Sequence, residues 1–177
     1  AFSGIYLGED NQIETRRQPV PLSYIRSIQK ECEQVNDEGR WLIALLSDSG
    51  MRLSEAIGLH KDDVMLDAEH PHIILKPHPW RRLKNLSSGR VIPLVGTALW
   101  AVGQATQSSS TDFLFPKYCD ETKCKSNSAS AALNKWMSPR VPDGCVIHSF
   151  RHSFRDRLRA AECSQDITDR LGGWSVD

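Results

Sequence analysis

The sequence predicts an α+β domain that is mainly α with a small antiparallel β-sheet. Apolar side chains recur every three to four residues through much of the chain, which is the spacing of amphipathic helices. Only two short segments are rich in β-branched residues, and loops containing glycine or proline separate the elements. A chain of 177 residues can bury one good core and is short for two full domains, so one compact domain is expected.

Seven segments have a helical pattern. The second contains the run 41–46, which is too apolar for a surface helix, and Gly50 is a natural stop after it. We therefore expect a buried helix that ends at residue 49. The predicted helices span residues 22–35, 41–49, 53–58, 97–106, 128–137, 149–161 and 164–171.

The two predicted strands lie at residues 72–76 and 89–94, where β-branched and other apolar residues cluster. The segment between them, residues 77–88, is polar and basic. We expect the strands to pair as a hairpin-like element with a long basic connection.

Charge is distributed unevenly along the chain, although the net charge is zero. Residues 1–69 carry 7 Lys/Arg and 13 Asp/Glu, a balance of −6, while residues 70–177 carry 15 and 9, a balance of +6. This asymmetry indicates a basic face for a polyanion, although solvated charges scattered over the surface would give the same count.

The composition also bears on location and on metal binding. No apolar run approaches the ~18 residues of a membrane span, and the first residues do not resemble a secretory signal, so a cytoplasmic protein without membrane contact is expected. Five irregularly spaced cysteines suit free thiols better than a disulfide framework. No metal site is predicted, because no second ligand pair accompanies Cys119 and Cys124.

The first candidate site segment places Arg52 at a helix start, directly after the Gly50 stop. A guanidinium beside free backbone N–H groups is well placed to grip a phosphate. The alternative is a surface arginine whose i+3 partner, Glu55, forms an ordinary helical ion pair.

The second candidate is Lys84, on the basic connection before the second strand. A lysine there can reach a reacting oxygen and donate a proton if neighbouring positive charge lowers its pKa. Taken alone, it is a simple turn lysine.

The third candidate segment begins a helix with His148 and Arg151, which lie three residues apart and share a helical face. One phosphate could contact both the imidazole and the guanidinium. Trp174 follows a glycine pair and could donate its indole N–H. The alternatives are a capping or buried histidine and a packing tryptophan.

Together, in this order, these segments resemble the tyrosine recombinase, or phage integrase, family. Arg52 with Glu55 resembles the family's arginine box, residues 83–94 resemble its lysine hairpin with a Val-x-Pro-Leu-like strand, and His148 with Arg151 resembles its His-x-x-Arg box. The resemblance runs from about residue 19 to residue 177.

The resemblance implies a role for each residue. Arg52 and Arg151 would clamp the scissile phosphate, Lys84 would protonate the leaving 5′ oxygen, and His148 would act as acid and base. Glu55 would support the site. Trp174 would replace the family's second histidine, with Gly173 as the competing alignment. Further basic residues are expected to contact DNA, namely Arg81, Arg82, Arg90 and Arg155.

The resemblance also implies an organisation and partners. Residues 1–20 would be a linker from a missing N-terminal DNA-binding domain, and residues 21–177 a catalytic domain truncated before its nucleophilic tyrosine, which would leave this piece inactive. The partners would be double-stranded DNA attachment sites, further copies forming a homotetramer when full length, and accessory DNA-bending proteins, in association with the nucleoid. No cofactor is expected, because arginine, histidine and lysine supply charge and protons for transesterification. The alternatives are a catalytically silent DNA-binding module of the same fold and a type IB topoisomerase-like enzyme.

Overall fold

The computed structural model describes residues 17–85 and 88–174, and within them the predicted mainly α fold with a small antiparallel sheet is confirmed. None of the described helices is both long and apolar enough to cross a membrane. The leader at residues 1–16 and the last three residues lie outside the described part. In chain order the elements are α1 (Leu22–Val35), α2 (Glu38–Ser49), α3 (Leu53–Ile57), β1 (Val64–Met65), β2 (His72–Leu75), β3 (Arg90–Pro93), α4 (Gly96–Ser108), α5 (Ser126–Met137), α6 (Ser149–Ala160) and α7 (Gln165–Gly172).

Helix α2 is the centre of the core. Every residue from Leu42 to Ser49 is buried, and α1, α4 and α6 all pack against this helix. Its N-cap residue is Asp37, whose side chain accepts a hydrogen bond from the backbone N–H of Arg40. The apolar run of α2 therefore has the buried position predicted for it.

The chain turns sharply at the end of α2. Gly50 has φ 63°, in the left-handed region that favours glycine, and a Cβ there would lie 2.3 Å from the Phe154 ring of α6. Glycine thus ends the helix and lets α6 approach closely. Arg52, the N-cap residue of α3, follows this turn, and its charge acts on Arg151 of α6.

The three strands form one antiparallel sheet in the order β1-β2-β3. The predicted hairpin is confirmed, with His72 opposite Pro93 and Leu75 opposite Arg90. Strand β1 was not predicted, because two residues are too short to show an alternating pattern.

One expectation about the cysteines is wrong. Cys119 and Cys124 form a disulfide across a tight turn, where an antiparallel bridge brings their Cα atoms to 4.1 Å. The turn is also held by hydrogen bonds from Thr122 and Lys123 to the Asp120 carboxylate. Irregular spacing along the whole chain gave no sign of this local pairing. The other cysteines, Cys32, Cys145 and Cys163, are free thiols.

Candidate active site

Arg52 and Glu55 form the first part of the site, on α3. The Arg52 backbone N–H donates to Glu55 Oε2 at 2.9 Å, and its Nη1 donates to Oε1 at 2.6 Å. Its Nη2 reaches across the molecule to the carbonyl of Gly173 at 3.3 Å. The expected helical ion pair is therefore present, but Arg52 also connects α3 to the end of α7.

Arg151 enters the same region from α6. It is 5% exposed, and its Nη1 donates to the carbonyl of Gly50 at 2.6 Å. Its Nη2 is buried and has no hydrogen-bond partner within residues 17–85 and 88–174. The guanidinium carbon lies 4.5 Å from the centre of the Trp174 ring, close enough for a cation–π contact.

The end of α7 places Trp174. Gly173 caps the helix with φ 59°, and the backbone N–H of Trp174 donates to the carbonyl of Asp169 at 3.0 Å. A Cβ on Gly172 would lie 1.9 Å from the indole ring, so the ring packs over this glycine. The glycine pair therefore provides the turn and the space, and Trp174 is the side chain that reaches the site.

His148 is the N-cap residue of α6 and is partly buried. The pKa of His148 is lowered to about 4, chiefly by burial, and then by electrostatic interactions with Arg17, His152, Arg151 and Arg52, in decreasing order. The imidazole is therefore neutral at neutral pH.

Positive charge is concentrated in this pocket. Burial, followed by the charge of Arg52, lowers the pKa of the Arg151 guanidinium to about 9. Burial also raises the pKa of Glu55, but hydrogen bonds and charge from Arg90 and Arg52 outweigh it and hold that pKa below its ordinary value. Glu55 is therefore ionised, and one carboxylate faces several cations.

A sequence model of the phage integrase family matches residues 23–177. The chain belongs to the phage integrase family. A search of curated protein sequences found no significant match to this phage integrase chain.

Several solved structures of recombinases and integrases have a similar fold. The Tn1549 transposon integrase in complex with circular intermediate DNA is 19% identical, with a TM-score of 0.70. The match covers 90% of this chain and 60% of that chain. XerA recombinase is 11% identical, with a TM-score of 0.69, and the match covers 90% of this chain and 55% of the XerA chain. A lambda integrase chain, from a tetramer bound to a Holliday junction, is 12% identical, with a TM-score of 0.62. The match covers 92% of this chain and 46% of the lambda integrase chain. This phage integrase chain thus spans 60% or less of the length of these proteins.

The structure separates two neighbouring arginines that the sequence treated alike. In this phage integrase domain Arg82 is exposed, as a DNA contact requires, whereas the side chain of Arg81 is 1% exposed. Arg81 pairs with buried Asp63 at 3.1 Å and donates to the carbonyls of Gly58 and Lys76. Arg81 therefore stabilises the fold and does not lie on the basic face.

Arg90 and Arg155 also differ from the simple expectation of a surface DNA contact. The Arg90 side chain is 5% exposed and pairs with Glu55 at 3.0 Å, inside the site. Arg155 lies at the edge of the site, with its guanidinium 5.1 Å from the Trp174 ring and 3.8 Å from the Asp169 carboxylate. Arg90 lies two residues before buried Ile92 on the same strand face, and this alternation was the sequence signal that its side chain points inward.

Lys84 is the one predicted catalytic residue that the structure leaves outside the cluster. It is exposed on the connection between β2 and β3, and within the described residues it makes no hydrogen bond or ion pair. Sequence reasoning missed Ser88 on the same connection. Its hydroxyl is buried, accepts from Arg52 at 3.3 Å and donates to Asn85 at 2.6 Å, so the hairpin does contact the site.

Proposed function

We propose that this is the catalytic domain of a site-specific DNA recombinase, which breaks and rejoins DNA by transesterification through a 3′-phosphotyrosine intermediate. One observation carries the proposal: Arg151 is buried beside other cations, and its Nη2 has no partner in the described residues. A buried cation with an unsatisfied donor and no ion-pair partner among the described residues is costly, so a site that retains one is suited to an anion. A phosphodiester supplies one negative charge and two oxygens that accept hydrogen bonds.

In the proposed reaction, a tyrosine oxygen attacks the phosphorus and the bond to the 5′ oxygen breaks. Negative charge builds on the nonbridging oxygens, where Arg52 and Arg151 donate hydrogen bonds from fixed positions. The indole N–H of Trp174, which makes no hydrogen bond to the described residues, can donate to the same phosphate. The new phosphotyrosine bond conserves the energy of the broken one, so the reverse attack by a DNA hydroxyl rejoins the strand without a high-energy cofactor.

Proton transfer is assigned to His148 and Lys84. Because the pKa of His148 is lowered to about 4, its neutral ring is ready to accept a proton, and a nearby phosphate charge favours the protonated form that returns it. Lys84 would protonate the leaving 5′ oxygen. Lys84 is exposed on the β2–β3 connection, where its side chain is accessible to bound DNA.

We further propose how the remaining parts of the enzyme are organised. The attacking tyrosine would lie beyond Asp177, and a DNA-binding domain would precede the linker at residues 1–20, as the resemblance implies. Tyr118 is buried, which agrees with its not being the nucleophile. The substrates would be double-stranded attachment sites, and strand exchange would take place in a homotetramer, with accessory DNA-bending proteins where the sites require them.

The test is covalent trapping with the full-length protein that contains this domain. Duplexes that the protein selects from a random pool provide the site, and a nick beside the cleavage point prevents rejoining. We expect a covalent protein–DNA adduct that Arg151→Ala reduces by about 100-fold or more, by analogy with the loss of one oxyanion donor. Arg159→Ala is the matched control, because Arg159 is on the same helix, is exposed, and makes no site contact.

The outcomes distinguish the alternatives. Selection of specific duplexes without any adduct would identify a silent DNA-binding module. Relaxation of supercoiled DNA without preference for a sequence would identify a topoisomerase-like enzyme. Equal adduct yields from the wild type and Arg151→Ala would remove Arg151 from the chemistry.

A further inference from the structure

Arg90 connects three parts of the chain that are distant in sequence. Its Nη2 donates to Glu55 on α3 at 3.0 Å, its Nε donates to the carbonyl of Leu171 on α7 at 2.9 Å, and its Nη1 donates to the carbonyl of Ser88 in the hairpin at 2.8 Å. A fourth hydrogen bond joins Nη1 to Glu55 Oε1 at 3.3 Å. With its side chain 5% exposed, Arg90 has little surface to offer to DNA.

On the α3 side, Arg90 completes the hydrogen bonding of Glu55. A carboxylate has about four acceptor positions, and this one receives four hydrogen bonds, two from Arg52 and two from Arg90. Glu55 is 2% exposed, so water cannot readily replace a lost donor. Without Arg90, a buried carboxylate would have two unsatisfied positions and would keep Arg52 as its one ion-pair partner among the described residues.

On the α7 side, Arg90 and Arg52 hold the end of the helix together. Arg90 donates to Leu171 and Arg52 donates to Gly173, so two cations meet the negative end of the α7 dipole. A Cβ on Gly173 would lie 2.8 Å from Arg90 Nη1, which shows how closely the guanidinium approaches the turn. The residue that follows this turn is Trp174, whose ring contacts Arg151.

We propose that Arg90 is a positioning residue of the phosphate site and not a DNA contact: it fixes Glu55 and the end of α7, and thereby the groups that Arg52 and Trp174 present to the phosphate. The expected effect of Arg90 on DNA cleavage rests on the proposed function. The structural part of the inference, the docking of α7, stands separately. Arg90 touches no reacting atom in this scheme and acts only through its neighbours.

The experiment compares Arg90→Gln with Arg82→Gln in the full-length protein. Both replacements remove one charge from the β2–β3 region, but Arg82 is exposed and Arg90 is not. For Arg90→Gln we expect unchanged DNA affinity and salt dependence, and single-turnover cleavage at saturating DNA slower by about 100-fold, the effect of misplacing a reacting geometry by about 1 Å. For Arg82→Gln we expect weaker binding, with the slope of log K against log salt smaller by about one, and normal cleavage once DNA is saturating.

A conservative variant and a double mutant test for positioning as distinct from general destabilisation. Arg90→Lys keeps the charge but cannot serve the carboxylate and two carbonyls together, so we expect only partial recovery of cleavage. Glu55→Gln combined with Arg90→Gln should cost much less than the sum of the single effects, because the two residues act as one unit. Should Arg90→Gln fail to fold, Arg90→Lys supplies the same comparison with Arg82→Gln.

Hydrogen exchange tests the docking of α7 without any enzymatic assay. In Arg90→Gln the amides of α7 should exchange at least tenfold faster while those of α1 are unchanged. If even the wild type forms no adduct, the proposed function fails but this measurement still decides the role of Arg90. The inference is overturned if Arg90→Gln weakens DNA binding with a reduced salt slope, as Arg82→Gln should, or if both cleavage and α7 exchange equal those of the wild type.

Discussion

Replacing Arg81 with methionine should cost the domain about 3–5 kcal/mol of folding free energy, the range for breaking a buried ion pair by removing one partner. The side chains of Arg81 and Asp63 are 1% and 0% exposed, so solvent does not screen the pair. Arg81 also donates to the carbonyls of Lys76 at 2.6 Å, Gly58 at 2.9 Å and Glu55 at 3.3 Å. Gly58 keeps a second donor in Trp80, whereas the carbonyls of Lys76 and Glu55 each lose the hydrogen bond from Arg81.

The loss is moderated by the partners that Asp63 retains. His78 lies 2.7 Å from the carboxylate and the backbone N–H of His60 lies 3.1 Å from it, so the charge is not left bare. We therefore expect a value inside the range and not above it. For a domain of this size each kcal/mol lowers Tm by about 2–4 °C, which gives a drop of roughly 6–20 °C.

Urea unfolding followed by far-ultraviolet circular dichroism measures this difference, with an unchanged m-value showing that the exposed surface is the same. Arg82→Met is the matched control, because this exposed neighbour should cost no more than about 0.5 kcal/mol. An Arg81→Met protein within about 1 kcal/mol of the wild type would refute the assignment of Arg81 to the interior. So would an equal loss in Arg82→Met.

Three further predictions concern the site. Glu55 has a folded pKa below its ordinary 4.5, so the stability that it contributes is present above that pH and is lost as pH falls below it. When the free energy of unfolding is measured against acidic pH, Glu55→Gln should therefore decline less steeply than the wild type. An identical decline in the two proteins would contradict the ion-pair cluster. Gly173→Ala should destabilise the folded domain by about 1–3 kcal/mol in urea unfolding, because Gly173 has φ 59° and a Cβ there would approach Arg90. Gly103→Ala is the control: it has open space in α4, so it should be neutral or stabilising. A larger loss in Gly103→Ala than in Gly173→Ala would exclude the close approach. The NMR signals of the His148 ring protons should titrate with a midpoint near pH 4. The free energy of unfolding should fall as pH drops from about 6.5 to about 4, because in that range only the unfolded chain takes up the proton. An NMR midpoint above pH 6 would show that the ring is not buried among cations.

Local patterns in the sequence were enough to predict most of the fold. Helix α1 begins and ends at the predicted residues, and the stop at Gly50 follows from a glycine preference that needs no tertiary information. The strand pair was visible from β-branched residues. The same local reasoning placed Arg52 at the start of α3 and put His148 and Arg151 on one helical face.

Sequence patterns could not distinguish basic residues by burial where the backbone is irregular. Arg81 and Arg82 are adjacent and identical, and only the tight turn that bridges His78 to Arg81 sends one side chain inward. Its partner Asp63 is eighteen residues away, beyond the reach of helical spacing. Arg90 was different, because its alternation with Ile92 along the strand already indicated an inward side chain. It was nevertheless grouped with the DNA contacts, because it was counted among the basic residues of this region. Which residues form the pocket, and that Lys84 lies outside it, depends on contacts between elements that no local pattern encodes.

The unpartnered amino group of Arg151 has a consequence for the history of such domains. An apolar side chain of similar size would fit the same interior without stranding a charge, so the arginine makes the folded state less stable than the architecture allows. Under the proposed function, continued use of the pocket for a phosphate would preserve so unfavourable a choice. In a descendant freed from breaking strands, drift should replace this residue early, while Arg81, which the architecture itself needs, persists.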